Sequence, residues 1–147
     1  MKNIYFDMDG TIADLYGVAT WLDDIIARDV RPYAIAKPLV DVNAFVDVLN
    51  TLRTLGYGVG IITWLAKCDD DDYHTRVENA KRTWLANTFH FDFDEIIVAR
   101  YGTPKQTFAT ENDILFDDEA PNRNAWCGTA YNVGNIVETL EKIAKNA

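Results

Sequence analysis

The sequence predicts an α/β fold: one Rossmann-like domain built on a doubly wound parallel sheet flanked by helices. Three observations carry that prediction. Short apolar runs of strand length alternate with longer segments of helical periodicity, the pattern of parallel sheets with helical crossovers. Two of the apolar runs, Ile4-Tyr5-Phe6 and Ile114-Leu115-Phe116, end in acidic pairs, Asp7/Asp9 and Asp117/Asp118. The 147 residues suffice for one core, and no repeat, low-complexity stretch or linker divides them, so residues 1–147 are read as one domain.

The first strand runs into Asp7-Met8-Asp9-Gly10-Thr11. One aspartate before a glycine would merely close a strand. Two of them on one tight turn, at the carboxyl end of a buried strand, need compensation, because an unpaired buried charge is costly. Open α/β sheets bind ligands at that edge. Hard oxygen donors there suit Mg²⁺.

Asp14 to Asp29 is predicted helical, with Leu15, Val18, Leu22, Ile25 and Ile26 at helical spacing. Val30 to Val42, which holds Pro32 and Pro38, reads as irregular. A helix over Val42 to Leu55 follows, with Phe45, Val48, Leu49 and Leu52 on one face and Gly56 as its stop. Tyr57 to Thr63 is the second strand. The acidic run Asp69 to Asp72 opens a helix reaching about Thr88, where first-turn carboxylates complement the helix dipole. Glu95 to Ala99 is the third strand. Thr103-Pro104-Lys105 reads as a helix start, with Thr as cap and Pro at the first helical position. After the fourth strand, Glu119 to Trp126 is predicted helical, Thr129 to Val133 a last strand and Val133 to Lys145 a closing helix.

Composition narrows the function. The net charge of −9 argues against an extended nucleic-acid surface or capture by anionic membrane, since both need Lys and Arg against phosphates. It leaves room for a small phosphorylated substrate whose charge is met locally. The N-terminus does not read as a signal peptide, and no apolar stretch approaches the ~20 residues that cross a bilayer. Cys68 and Cys127 do not make a disulfide framework, so a cytoplasmic location is expected.

Four polar signals stand at or just past predicted strand ends: Asp7/Asp9, Thr63, Lys105 and Asp117/Asp118. In a parallel sheet all carboxyl ends share one edge, so these groups can converge. In order and chemistry they resemble the haloacid dehalogenase (HAD) superfamily of phosphohydrolases, over nearly the whole chain. The Asp-Met-Asp-Gly-Thr stretch is highly specific, Leu115-Phe116-Asp117-Asp118 moderately so, and Thr63 and Lys105 are weak alone.

The resemblance implies a Mg²⁺-dependent phosphomonoester hydrolase. Asp7 would be the nucleophile, forming an aspartyl-phosphate, and a ligand of the metal. Asp9 would bind the metal through its backbone carbonyl, and its carboxyl would act as general acid and then base. Thr63 and Lys105 would hold the phosphate. Asp117 is expected to be the side-chain metal ligand with Asp118 supporting it, and exchanging the two roles satisfies the pattern as well. About 30 residues separate Thr11 from the helix before the second strand, so the chain reads as a core with no large cap.

Trp64, Tyr16, Tyr33 and Trp126 are candidate aromatics near the mouth, with Trp126 and Tyr33 expected in the core. Within the superfamily the motif spelling looks most like 5′(3′)-deoxyribonucleotidases and nucleic-acid-end phosphatases, which makes a nucleotide or a phosphorylated nucleic-acid end the expected substrate. Two other classes compete. A phosphoryl-accepting receiver module uses similar residues but carries its acceptor on the third strand, which here ends without an aspartate. A nucleotide-binding module without turnover would leave a full set of reactive groups idle.

Overall fold

The computed structural model describes residues 2–147. Five parallel strands form one sheet in the order β3-β2-β1-β4-β5: β1 (Asn3–Phe6), β2 (Gly58–Trp64), β3 (Glu95–Ala99), β4 (Ile114–Phe116) and β5 (Thr129–Tyr131). The predicted doubly wound sheet is present, and no large cap is inserted into it. β1 is central, and past Asn3 its residues are apolar and buried, with Ile4 and Phe6 fully so.

Strand alternation sends side chains to two different layers. Ile4, Phe6, Ile61 and Phe116 face a layer built from α3 (Val42–Thr54), α4 (Asp71–Phe89) and α6 (Ile136–Lys145). Phe6 packs edge-on against Phe45 at 5.1 Å, and Trp84, Leu85 and Phe89 of α4 join the same cluster. Tyr5, Ile62 and Leu115 face the other way, onto Trp126 and Ala109. That second layer is thin. It consists of the segment after β3, with one 3-10 turn at Lys105–Phe108, and of the short α5 (Ala120–Ala125).

Most predicted elements lie within a few residues of their expected bounds. α3 ends in a Schellman motif: Tyr57 N–H bonds Leu52 O at 3.1 Å and Gly56 N–H bonds Arg53 O at 3.0 Å, with Gly56 at φ +97°. Asp70 caps α4 by accepting from Tyr73 N–H at 3.0 Å, and Asp71 and Asp72 fill its first turn. The acidic run is therefore a helix start, and its side chains pair at the surface with Arg28, Arg100 and Arg76.

The stretch after β1 differs from its prediction. Asp14 to Asp29 is not one helix but a 3-10 turn at Leu15–Gly17 followed by the six-residue α1 (Trp21–Ile26). Asp14 accepts from Gly17 N–H and closes the turn after three residues, and Arg28 at φ 62° stops α1. Leu22 and Ile26, expected on a packed face, are 52% and 66% exposed. Val30 to Val42, expected to be irregular, contains α2 (Arg31–Ile35), with Pro32 in its first turn, where the missing N–H costs nothing. Thr103 is not a helix cap. Its hydroxyl donates to Arg100 O at 2.7 Å, and Pro104 precedes a single 3-10 turn that begins at Lys105.

This insert is tied down at several points. Leu39 N–H bonds Ile12 O, Asp14 N–H bonds Lys37 O, Trp84 Nε1–H bonds Ala36 O at 2.7 Å, and the Tyr73 hydroxyl donates to Asp29 O at 2.8 Å. α2 therefore lies against α4 at the carboxyl edge of the sheet.

Candidate active site

Hydrogen bonding places the first pair of carboxylates. The ladders continue one residue past the strands: between β1 and β4, Asp7 N–H bonds Phe116 O at 2.9 Å, and between β4 and β5, Asp117 N–H bonds Tyr131 O at 3.2 Å. Because Phe6 is in register with Phe116, Asp7 and Asp117 stand side by side on the next rung. Just beyond, the chain winds tightly. The N–H groups of Thr11, Ile12 and Ala13 all converge on Met8 O. Gly10 sits at φ +81°, and a β-carbon there would collide with the Asp118 carboxylate.

Two lysines reach this edge from opposite layers. Lys105, from the thin layer, donates to Asp7 Oδ1 at 2.8 Å and to Asp117 Oδ2 at 2.7 Å. Lys81, from α4, donates to Asp9 Oδ2 at 2.9 Å, Thr63 Oγ1 at 2.7 Å and Trp64 O at 2.7 Å. Both ammonium groups are buried. All three N–H bonds of Lys81 are engaged, whereas Lys105 makes two hydrogen bonds and keeps one donor. Thr63 accepts from Lys81 and keeps its own O–H to donate.

The remaining contacts distinguish Asp117 from Asp118. Asp117 is fully buried; its Oδ1 accepts from Glu119 N–H at 2.9 Å, and its Oδ2 accepts from Asn122 Nδ2 at 3.1 Å as well as from Lys105. Among the described residues, the Asp118 carboxylate receives only a long bond from Thr11 Oγ1 at 3.4 Å. The same Thr11 hydroxyl lies 3.0 Å from Asp7 Oδ2 and accepts from Asp118 N–H at 3.2 Å.

The charges do not balance. Four carboxylates, Asp7, Asp9, Asp117 and Asp118, face two ammonium groups. Burial, then the Asp7 charge, raises the pKa of Asp118 to about 7. Burial raises Asp9 as well, against the pull of Lys81. Burial and Asp7 raise Asp117, with Lys105 opposing. Burial works against the charge on Lys105, but Asp7 and Asp117 outweigh it and its pKa is raised. Ligand oxygens of Asp7, Asp117 and Asp118 lie within 4.8 Å of one another. A hard-oxygen donor set with an excess of two negative charges fits a divalent cation such as Mg²⁺.

The structure brings Asp7, Asp9, Thr63, Lys105, Asp117 and Asp118 to one rim. Sequence reasoning did not single out Lys81 or Asn122, and it named Thr11 only as part of the first motif, with no role of its own. A signal for Lys81 was present: it falls on the apolar stripe of α4, between Val77 and Trp84, where a charge has no reason to be buried without a partner. Trp126 is a core residue whose Nε1–H bonds Asp113 O at 3.0 Å. Trp64 is fixed at the rim by its Nε1–H bond to Thr103 O, with its ring 5.1 Å from Tyr101 and 5.2 Å from Lys105 Nζ.

No protein-family model matches this chain, and no curated protein is significantly similar to it in sequence. Solved structures do match. The chain is similar in fold to the D,D-heptose 1,7-bisphosphate phosphatase from Burkholderia thailandensis, with a TM-score of 0.52 and 13% sequence identity, over 85% of this chain and 71% of that one. At that identity the likeness is one of architecture. It supports the α/β, Rossmann-like architecture of the core, and the acidic cluster at the carboxyl edge could hold a metal ion. No helix among the described residues is long and apolar enough to cross a membrane.

Proposed function

We propose that the protein is a Mg²⁺-dependent phosphomonoester hydrolase that works through an aspartyl-phosphate on Asp7. The observation that carries this reading is the setting of Asp7. It lies at the end of the central strand, held by Lys105 and Thr11 and adjacent to Asp117 and Asp118.

Asp7, Asp118 and Asp117 would hold the ion, and a bound Mg²⁺ would neutralise phosphate oxygens that otherwise repel an anionic nucleophile. The hydrogen bonds already spent on Asp117 favour Asp118 as the more open donor. An Asp7 oxygen forms a bond to phosphorus as the ester bond breaks. Asp9 gives its proton to the departing alkoxide. It then takes a proton from water, whose oxygen attacks phosphorus, releases phosphate and restores the Asp7 carboxylate. The free N–H of Lys105 and the O–H of Thr63 supply donors for phosphate oxygens. Lys81 fixes the Asp9 carboxylate and favours its ionised form, the form needed to activate water.

For the substrate, a nucleotide or a phosphorylated nucleic-acid end fits a rim carrying Trp64 and the exposed Tyr101, since an aromatic face stacks a base at ~1–3 kcal/mol. Phosphate release from mononucleotides, 3′-phosphorylated oligonucleotides and sugar phosphates, with Mg²⁺ and with EDTA, tests both levels. Release that needs Mg²⁺ and is lost in Asp7→Asn is expected. No release from any ester would sink the enzymatic reading, and release from sugar phosphates alone would sink the nucleotide assignment.

A further inference from the structure

We propose that Tyr33 is a specificity-determining residue whose phenolic hydroxyl hydrogen-bonds an oxygen function on the alcohol half of the substrate. The inference rests on the phosphomonoesterase reading and extends it to the leaving group.

Tyr33 is only 6% exposed as a residue; its hydroxyl makes no hydrogen bond to the other described residues and is not an enclosed atom, so it opens to solvent. The other deeply buried tyrosines are satisfied: Tyr5 donates to Glu95 at 3.0 Å and Tyr73 to Asp29 O at 2.8 Å. A phenol whose ring is packed while its hydroxyl opens at the rim of a site presents that hydroxyl to a ligand.

Its location is set by packing. The Tyr33 ring belongs to a small cluster with Leu15, Ala66, Tyr73 and Val77, and it lies 5.3 Å from Lys81 Nζ, which itself holds Asp9 at 2.9 Å. The contacts of Ala36 with Trp84 and of Asp29 with Tyr73 anchor the chain on either side of α2, so the ring is not on a loose loop. Burial first, then the Asp9 charge, pushes the phenol's pKa upward, so it remains a hydrogen-bond donor at any working pH.

The position selects which half of the ester Tyr33 meets. Asp9 serves the leaving oxygen, so a group beside Asp9 faces the alcohol and not the phosphoryl group. Tyr16, half-exposed and set against Gly10 and edge-on to Trp21 at 4.9 Å, adds a second phenol whose hydroxyl has no partner among the described residues. The substrate class that fits is an ester whose alcohol bears a hydroxyl or ring oxygen next to the phosphorylated carbon, as a pentose or polyol does. An aryl phosphate lacks such a group.

The test is equilibrium binding with Mg²⁺ in an Asp7→Asn background, where turnover is blocked, with and without Tyr33→Phe, which preserves the ring. The probes are inorganic phosphate, phenyl phosphate, glycerol 2-phosphate and ribose 5-phosphate. Tyr33→Phe is expected to weaken the two hydroxylated esters about fivefold to tenfold, the loss of one hydrogen bond, and to leave phosphate and phenyl phosphate unchanged. Equal weakening of all four probes would make Tyr33 a structural residue and overturn the proposal, as would no weakening of any. If wild type hydrolyses no ester and phosphate does not bind, the phosphatase reading fails and takes this inference with it, a result distinct from either of those.

Discussion

Lys81 meets Asp9 at 2.9 Å across the carboxyl edge of the sheet, although the two are separated by 72 positions in the chain. The lysine is 1% exposed and the aspartate side chain 19% exposed, so the pair is desolvated mainly on one side. Removing the ammonium strands the carboxylate beside the Thr63 hydroxyl and the Trp64 carbonyl. Lys81→Met is expected to cost about 2–4 kcal/mol of stability, toward the lower end of the range for breaking a buried pair because Asp9 keeps some water. Urea denaturation of Lys81→Met, Asp9→Asn and the double variant measures the coupling. Strictly additive losses would show that the two side chains do not support each other.

The hydrogen bonding of Asp117 and Asp118 predicts opposite consequences for their amides. Asp117→Asn takes one of two carboxylates from Lys105 and should destabilise the metal-free protein. Asp118→Asn removes a poorly compensated charge and should leave the metal-free protein as stable or more so, while weakening Mg²⁺ binding at least tenfold. Thermal melts with EDTA and with Mg²⁺, and calorimetric titration of Mg²⁺, check this. Loss of Mg²⁺ affinity only in Asp117→Asn would reverse the assignment of the two ligands.

The metal-free protein should become less stable as pH rises. Asp118 has a pKa of about 7 in the fold, against about 3.9 in an unfolded chain. Between those values the folded state retains a proton that the unfolded state has released, so stability falls with rising pH and levels off above the folded pKa. With EDTA the melting temperature should drop by about 2–4 °C between pH 5.5 and pH 8, given ~1 kcal/mol from a half-buried group. Saturating Mg²⁺ should shrink or invert the difference, because the ion favours the ionised carboxylates. A metal-free melt that is flat over this range, or no flatter in Asp118→Asn than in wild type, would contradict the argument.

Thr11 links the two acidic pairs through one hydroxyl, which lies 3.0 Å from Asp7 Oδ2 and accepts from Asp118 N–H. Thr11→Val keeps the shape and leaves a half-buried N–H without its acceptor, at a cost of about 1–2 kcal/mol. Thr11→Ser restores the hydroxyl and should recover most of that loss in chemical denaturation. Equal loss in Ser and Val would attribute the effect to the γ-methyl and not to the hydrogen bonds.

Where neighbouring residues decide the outcome, the sequence was legible. β3 and α3 follow their periodicity almost residue for residue, and the Gly56 stop is a local φ requirement. The insert after Thr11 was not legible in the same way. Its apolar spacing suits a helix, yet Asp14 and Gly17 close a three-residue turn, and bonds to Ile12, Trp84 and Tyr73 set the path. Those bonds involve partners that periodicity does not see.

The same division runs through the site. Asp7, Asp9, Asp117 and Asp118 announce themselves because each pair directly follows an apolar strand, and a parallel sheet brings all strand ends to one edge. Their side-by-side placement rests on the register of β1 with β4, which only the paired backbone shows. Lys81 shows the limit. On a helix the residue itself says that a charge lies on an apolar stripe, but which carboxylate it meets depends on how α4 packs across the sheet. Chain-local chemistry thus determined the fold class and the acidic rim. Packing between distant segments decided which cation neutralises which anion and where the phenol of Tyr33 comes to rest, because those contacts exist only after the layers have closed.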